Sequence, residues 1–441
     1  MKIEKSLTKL AEDLVAYGRE RGADQVEVAI TDSSEFNVDV LKGRVEKLTE
    51  AGSRTAALKV VKEERVMTAT SSDLAAATLH GLMDRSIEKA ALMNADPFGA
   101  LPDLEPVTAR GEALGIYDEA IPALTPEEKI ERALRVEELA LADPRVKNSN
   151  GASVNSGMTV RYLANSNGFS NAYRETGITC GVFLQAGEGD NLFDEGRYDF
   201  CRRLDGLMPV EEIAAEAVQR VTRLIGAQKI DSQVLPVVFE RDRAAEILAF
   251  LSECVSGQNV FRQQSYLGGK IGEKIAGDNI TVIDDGLMPG APGTKPFDGE
   301  GVPARRTVVI ENGVLKSYIL DTYSARKLQM KSTGNGSGVN NFYLQPGEFS
   351  PEQIIASVEK GLLLTQFMAF GTETTTGNIS KGAFGMLIEG GKVTRPVSEI
   401  TIQSTLGEML SNITMIGNDL KHDSDTVSPT FLVASVSIGG K

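Results

Sequence analysis

The chain has 441 residues, with 46 Lys and Arg against 61 Asp and Glu, a formal net charge of −15, 2 His, 3 Cys and no Trp. The acidic balance argues against a broad duplex-binding surface, because phosphate affinity comes from Lys and Arg neutralising backbone charge. The two histidines, His80 and His422, lie far apart in the chain and exclude a histidine-rich metal site of the H-E-x-x-H or H-x-H kind.

Ile3, Leu7, Leu10, Leu14 and Val15 recur at helical spacing and Gly22 follows as a stop, which predicts a helix over 3–21. This amphipathic, charged start is neither a signal peptide nor a membrane span, and no apolar run reaches about 18 residues, so no membrane partner is expected. Alternating stretches at 26–30, around 36–40, 54–61 and 65–70, with a turn at Lys42-Gly43-Arg44, predict an antiparallel sheet of about four strands. Helices at 3–21 and 73–93 flank it, and the unit is an N-terminal α/β domain over 1–95.

Five prolines between Asn94 and Pro126 and little periodicity mark a linker. Thr125, Pro126 and Glu128 then form a capping box, opening a helix that ends before Asp143-Pro144. From 145 to 204 the chain is β-rich, with hairpin signals at Asn165-Ser166-Asn167-Gly168 and Gly187-Glu188-Gly189-Asp190, and a helix over 209–225 closes a central α+β segment, 118–226. A strand at 234–239 and a helix at 241–255 open the last domain, 232–441. It continues through a Gly- and Pro-dense stretch at 268–303, hairpins on Asn312-Gly313 and Gly390-Gly391, helices at 351–360 and 404–412, and a strand at 431–438. The fold class is α+β, with a β-rich, barrel-like C-terminal domain carrying peripheral helices.

Cys180, Cys201 and Cys254 are odd in number and lack C-x-x-C spacing, which fits free thiols in a reducing, cytoplasmic compartment. No G-x-x-x-x-G-K-[ST] or G-x-S-x-G occurs, and Gly334-Asn335-Gly336-Ser337-Gly338 lacks the G-x-G-x-x-G spacing, so it reads as a flexible loop. Asp284-Asp285, Asp298-Gly299-Glu300 and Asp423-x-Asp425 could offer oxygens to a hard cation, or be solvated turn residues. Tyr323-Ser324-Ala325-Arg326-Lys327-Leu328 with Lys331-Ser332-Thr333-Gly334 is an island of positive charge. It reads either as an anion or peptide-carboxylate site or as a helix end whose cations complement the dipole.

Phe297-Asp298-Gly299-Glu300-Gly301-Val302 with Arg305-Arg306, the 323–334 segments, Pro396-Val397-Ser398-Glu399-Ile400-Thr401-Ile402, Asn412-Ile413 and Ile416-Gly417-Asn418-Asp419 together resemble the TldD/PmbA family. The resemblance covers nearly the whole chain. In that family the TldD kind carries H-E-x-x-x-H on a helix after a strand, its histidines on zinc and its Glu as base, with a further cysteine ligand near the C-terminus. Here the corresponding helix, Arg241–Cys254, has no histidine, and the stretch 424–441 has no cysteine. That is the pattern of the PmbA (TldE) kind. Glu246, Glu253 and Cys254, at i, i+7 and i+8, lack the i, i+4 spacing of a substitute site.

The resemblance therefore implies no catalytic residue, no metal ligand and no cofactor in this chain, with zinc in a TldD-like partner. It implies a non-catalytic subunit that joins such a partner in a peptidase acting on peptides and unfolded polypeptides. Arg305, Arg306, Ser324, Arg326, Lys327 and Ser332 are the candidate peptide- or partner-contacting residues. The alternative is a stand-alone homodimeric peptide-binding modulator without peptidase activity, and a third reading is an enzyme using the carboxylates of the 284–300 loop. Nucleic acid is not an expected partner.

Overall fold

The computed structural model describes residues 3–189, 191–368 and 371–440. The strand runs on through the polar residues 31–35, so the stretches expected at 26–30 and around 36–40 are one element, β1 (Gln25–Leu41). Val26, Val28, Ile30, Phe36, Val38 and Val40 all point to one face and are buried. Lys42 and Gly43, at φ 53° and 73°, supply the positive angles of a tight hairpin turn into β2 (Arg44–Lys62). The strand β3 (Arg65–Ser71) follows, giving three strands where four were expected. The first half of β2 is exposed on both faces, which is why its sequence shows no alternation.

The sheet does not stop there. The strands β4 (Val146–Asn165), β5 (Ser170–Glu188) and β6 (Asn191–Cys201) extend it in the order β3-β2-β1-β4-β5-β6, with every neighbour antiparallel. Of the turn expected at 187–190, Asp190 lies outside the described residues, and the flanking pair Glu188 and Asn191 are in register. Among the described residues the α-helices of this half are α1 (Lys5–Glu20), α2 (Ala76–Ala90), the single turn α3 (Ala120–Ala123), α4 (Pro126–Leu141) and α5 (Val210–Thr222). α1 and α2 cover Val26, Val28 and Ile30, while α4 and α5 cover Val38, Val40 and Ile178. Because these β1 residues share one parity, all four long helices lie on the same face of the sheet. α4 starts as its sequence predicts: the Glu128 amide donates to Thr125 Oγ1 at 3.2 Å and the Thr125 amide to Glu128 Oε2 at 2.7 Å.

From residue 233 the order is β7 (Gln233–Phe239), α6 (Arg241–Cys254), α7 (Gly257–Phe261), β8 (Val282–Asp285), β9 (Arg306–Glu311), β10 (Val314–Leu315), α8 (Thr322–Lys327), β11 (Phe342–Leu344), α9 (Pro351–Ala356), β12 (Lys360–Met368), β13 (Thr372–Glu373), β14 (Asn378–Glu389), β15 (Lys392–Thr405), α10 (Leu406–Ser411), β16 (Ile413–Ile416), β17 (Thr426–Val427) and β18 (Phe431–Gly439). β12, β7, β18, β15 and β14 pair in that order and β14 pairs back to β12, closing a barrel. A second sheet, β10-β9-β8-β11-β17, lies beside it, and Ala244, Ile247, Leu248 and Leu251 of α6 are buried in their common core. The fold is thus α+β with a barrel in its C-terminal half, as expected. The helix expected over 351–360 ends early, and β12 takes its place from Lys360 onward. Leu362, Leu363 and Leu364 are buried in turn, so this strand is enclosed on both faces and carries no alternation.

The opposite face of the first sheet, with Ala29, Leu163 and Tyr173, packs on Leu114, Ile116 and Phe297. Phe297 stands edge-on to Phe169 and Tyr173, with centroids 5.1 and 5.0 Å away. Residues 94–119 run between the two halves as a strap rather than a loose linker. Among the described residues no helix is long and apolar enough to cross a membrane.

Candidate functional site

The strand β7 delivers the chain directly into α6, the helix on which the family's catalytic kind would carry its metal. Two of its three acidic side chains, Asp242 and Glu246, are already engaged. Asp242 lies 2.7 Å from Arg220; burial opposes its ionisation, but Arg220, Arg241 and Arg243 outweigh that and hold the carboxyl down at about 2. Glu246 pairs with Lys381 Nζ at 2.9 Å and Arg243 at 2.8 Å. Glu253 is exposed, while Cys254 is buried and burial pushes its thiol up to about 12, far from the thiolate a metal needs. The donor set on this helix does not fit a zinc ion, and among the described residues no three His, Cys, Asp or Glu side chains are placed to hold a metal.

The histidines stand elsewhere. His80 on α2 stacks on Tyr17 with centroids 4.0 Å apart, and His422 packs edge-on to Tyr343 at 5.3 Å.

A cleft of about 420 Å³ lies at the head of α6, walled by β6, α5 and residues 421–428. Arg197 anchors one wall of it: its guanidinium meets Glu216 at 2.9 Å, Asp423 at 3.1 Å and Asp199 at 3.3 Å, and Lys421 meets Asp199 at 2.5 Å. Asp423, expected as a possible cation ligand, is therefore an ion-pair partner that ties the C-terminal half to the first sheet. The other acidic pairs hold loops. Asp284 is buried and accepts from the Asn340 amide at 2.7 Å, Asn340 Nδ2 at 2.7 Å and Asn335 Nδ2 at 2.9 Å. Asp298 accepts from the amides of Gly336, Glu300 and Val302 at 2.6, 2.9 and 3.0 Å.

The basic island is likewise committed to internal contacts. Ser324 is buried under α7, and its amide and Oγ donate to Asp321 Oδ1 at 2.6 and 2.5 Å, capping α8. A Cβ on Gly257 would stand 2.4 Å from Ser324 Oγ, so the two helices meet only because residue 257 is glycine. Arg326 donates to the carbonyls of Phe98, Ala100 and Leu101 on the strap, the first at 3.3 Å and the last at 2.7 Å. Lys327 sits 4.3 Å from the Phe98 ring centroid and 3.5 Å from Asp96, whose other oxygen accepts from Tyr323 Oη at 2.7 Å. Ser332 Oγ donates to Leu320 O at 3.2 Å. Arg305 pairs with Glu105 at 3.0 Å, and Arg306, 4.0 Å from Asp285, keeps about half its side chain (52%) exposed. Of the six candidates, Arg305 and Arg306 are the two with much surface to offer. Arg326→Ala removes all three carbonyl bonds and is expected to cost about 1–3 kcal/mol. It should also open residues 94–119 to limited proteolysis, read by mass spectrometry of the first fragments.

Lys295, Arg161, Arg202 and Glu175 were not singled out by the sequence, yet with Asp298 they line a second cleft, of about 270 Å³, between the first sheet and residues 292–299. The one local signal was the lysine immediately before Pro296-Phe297-Asp298.

The chain belongs to the PmbA/TldD family: residues 26–92, 119–225 and 232–440 match, in order, domain 1, the central domain and the C-terminal domain described as PmbA/TldA metallopeptidase. It is 29% identical over 437 residues to the metalloprotease PmbA of Escherichia coli O157:H7, covering 98% of this chain and 97% of that protein. A Bacteroides thetaiotaomicron crystal structure, named for modulation of DNA gyrase, superposes with a TM-score of 0.94 at 27% identity and full coverage of both chains. TldE from Thermococcus kodakarensis shares the fold, with a TM-score of 0.87 at 22% identity over 98% of this chain and 100% of that one.

Proposed function

We propose that the chain is a non-catalytic subunit of the PmbA/TldE type, joined in the cytoplasm to a zinc-bearing TldD-like chain in a peptidase that processes peptides and unfolded polypeptides. The observation that carries this reading is α6. In a chain matching a metallopeptidase family from domain 1 to the C-terminal domain, that helix has no histidine, and its central carboxylate, Glu246, is spent on Lys381 and Arg243. On this reading the chain supplies no metal ligand and no base, and its contribution is to complete the shape of the assembly and hold substrate near the partner's metal.

The test is to purify the chain alone and together with a TldD-like chain from the same genome. Zinc is measured by plasma mass spectrometry and cleavage by release of fragments from an unfolded polypeptide. The isolated chain is expected to carry no stoichiometric zinc and to cleave nothing. The pair is expected to copurify and to cleave in a chelator-sensitive way. Chelator-sensitive proteolysis by the isolated chain overturns the proposal, and so does a failure of the two chains to associate.

A further inference from the structure

The cleft beneath the first sheet has a charge pattern that its own side chains do not close. Arg161 and Arg202 share one acid: Arg161 Nε donates to Glu175 Oε1 at 3.0 Å and Arg202 lies 3.2 Å from Glu175 Oε2. Arg202 also donates to the carbonyls of Thr176, at 3.2 Å, and Pro292. The third cation, Lys295, makes no side-chain hydrogen bond or ion pair among the described residues, although Asp284, Asp298 and Glu175 lie near enough to act on it through space. Those three carboxylates are taken by the amides, asparagines and guanidiniums described above. The lining carries three cations and two carboxylates, Glu175 and Asp298, with Asp284 acting on Lys295 from behind the wall, and it leaves one ammonium with its donors unspent. Burial lowers the Lys295 pKa, as expected of a cation without a direct counter-charge.

Part of the rest of the wall is apolar. Tyr173 and Phe297 meet edge to face at 5.0 Å and are almost fully buried, at 7% and 2% exposure. Arg161, with 48% of its side chain exposed, stands at the open lip with Gly299. The volume, about 270 Å³, is that of roughly nine waters at about 30 Å³ each, a space for one or two amino acids. One ammonium with unspent donors suits a single carboxylate, and the carboxylates around it disfavour a dianion such as phosphate. A free amino acid would bring an ammonium for which both carboxylates are already spoken for, whereas an acylated C-terminal residue would not.

We propose that this cleft binds the C-terminal end of a peptide, its carboxylate on the Lys295 ammonium and its last side chain against Tyr173 and Phe297. That the ligand is a peptide rests on the function proposed above, but the site itself belongs to this chain alone and needs no partner. The bound end would fix the direction of an extended substrate before its scissile bond reaches the partner.

Isothermal titration of the isolated full-length chain with N-acetyl-alanyl-phenylalanine and with the corresponding C-terminal amide tests this. The acid is expected to bind one to one, and the amide about 10-fold or more weaker, the loss of one charge-assisted hydrogen bond. Lys295→Met is expected to weaken the acid about 10-fold while leaving the amide unchanged, and Lys295→Arg to restore most of the affinity. Circular dichroism melting of both variants shows whether they are folded. Equal binding of acid and amide, undiminished binding to folded Lys295→Met, or no binding of the acid overturns the proposal. Inorganic phosphate competing at the same concentration as the acid also overturns it, as a general anion site. Because no TldD-like chain is present, failure of the subunit reading leaves these outcomes unaltered.

Discussion

Replacing Arg197 with methionine is expected to destabilise the fold by about 3–5 kcal/mol, the scale for removing one member of a buried charge network. Arg197 on β6 is 5% exposed and Asp199 1% exposed, so neither can turn to water when its partner goes. Methionine keeps the stem's volume but leaves Asp199 with only Lys421 and the Met208 amide, and deprives Asp423 and Glu216 of their shared guanidinium. Asp423→Asn is the milder change, because Arg197 then still holds Asp199 and Glu216. The two variants should therefore rank, in urea midpoint, wild type above Asp423→Asn above Arg197→Met. A shift for Arg197→Met no larger than that of Asp423→Asn would show that the network contributes little at this joint.

Glu27→Gln is expected to act in the opposite direction and only at high pH. Glu27 projects from β1 on the face that meets the C-terminal half, 8% exposed, with Oε2 lacking a hydrogen-bond partner. Burial pushes its carboxyl from 4.5 up to about 8; Lys59 works against that rise, and Glu300 and Asp298 add to it. Between those two values the folded chain holds a proton that the unfolded chain has lost. Folding takes up that proton, so stability falls as pH rises from about 4.5, and the penalty is complete above about 8. Full development of such a shift corresponds to at most about 5 kcal/mol. Glutamine keeps the shape and removes the titration. The variant should match the wild type near pH 5 and exceed it by up to that amount at pH 9, in paired denaturation curves. A wild-type advantage at pH 9 would mean that Glu27 is paired and ionised in the fold.

Local chemistry was legible in the sequence, and long-range pairing was not. The capping box at Thr125 and Glu128 and the Asn312-Gly313 turn are written within a few residues, and both stand where expected. β12 was missed because Leu362-Leu363-Leu364 favours a helix by composition, and the barrel buries both of its faces. Alternation marked the two ends of β1 as strand and composition placed β4 within a β-rich stretch, but neither could say that they were neighbours. The same division holds for the site. The missing histidines of α6 are a local fact and were read at once. The engagement of Arg326 and Lys327 was hidden, because backbone carbonyls at 98–101 carry no sequence mark and lie more than 200 residues upstream.

The pairing of β1 with β4 joins residues more than a hundred positions apart, from Val40 with Ala152 to Glu27 with Asn165. The β1–β2–β3 meander closes through short turns and can form early. Its outer ladder on β1 remains open until the ribosome has released residues 146–165, and then waits on the closure of a long loop. During that interval the nascent chain presents a long row of backbone donors and acceptors, the kind of edge that recruits other strands. A fragment ending before Val146 would keep that edge permanently and should self-associate, so the order of synthesis is itself a hazard that this topology imposes on its own folding.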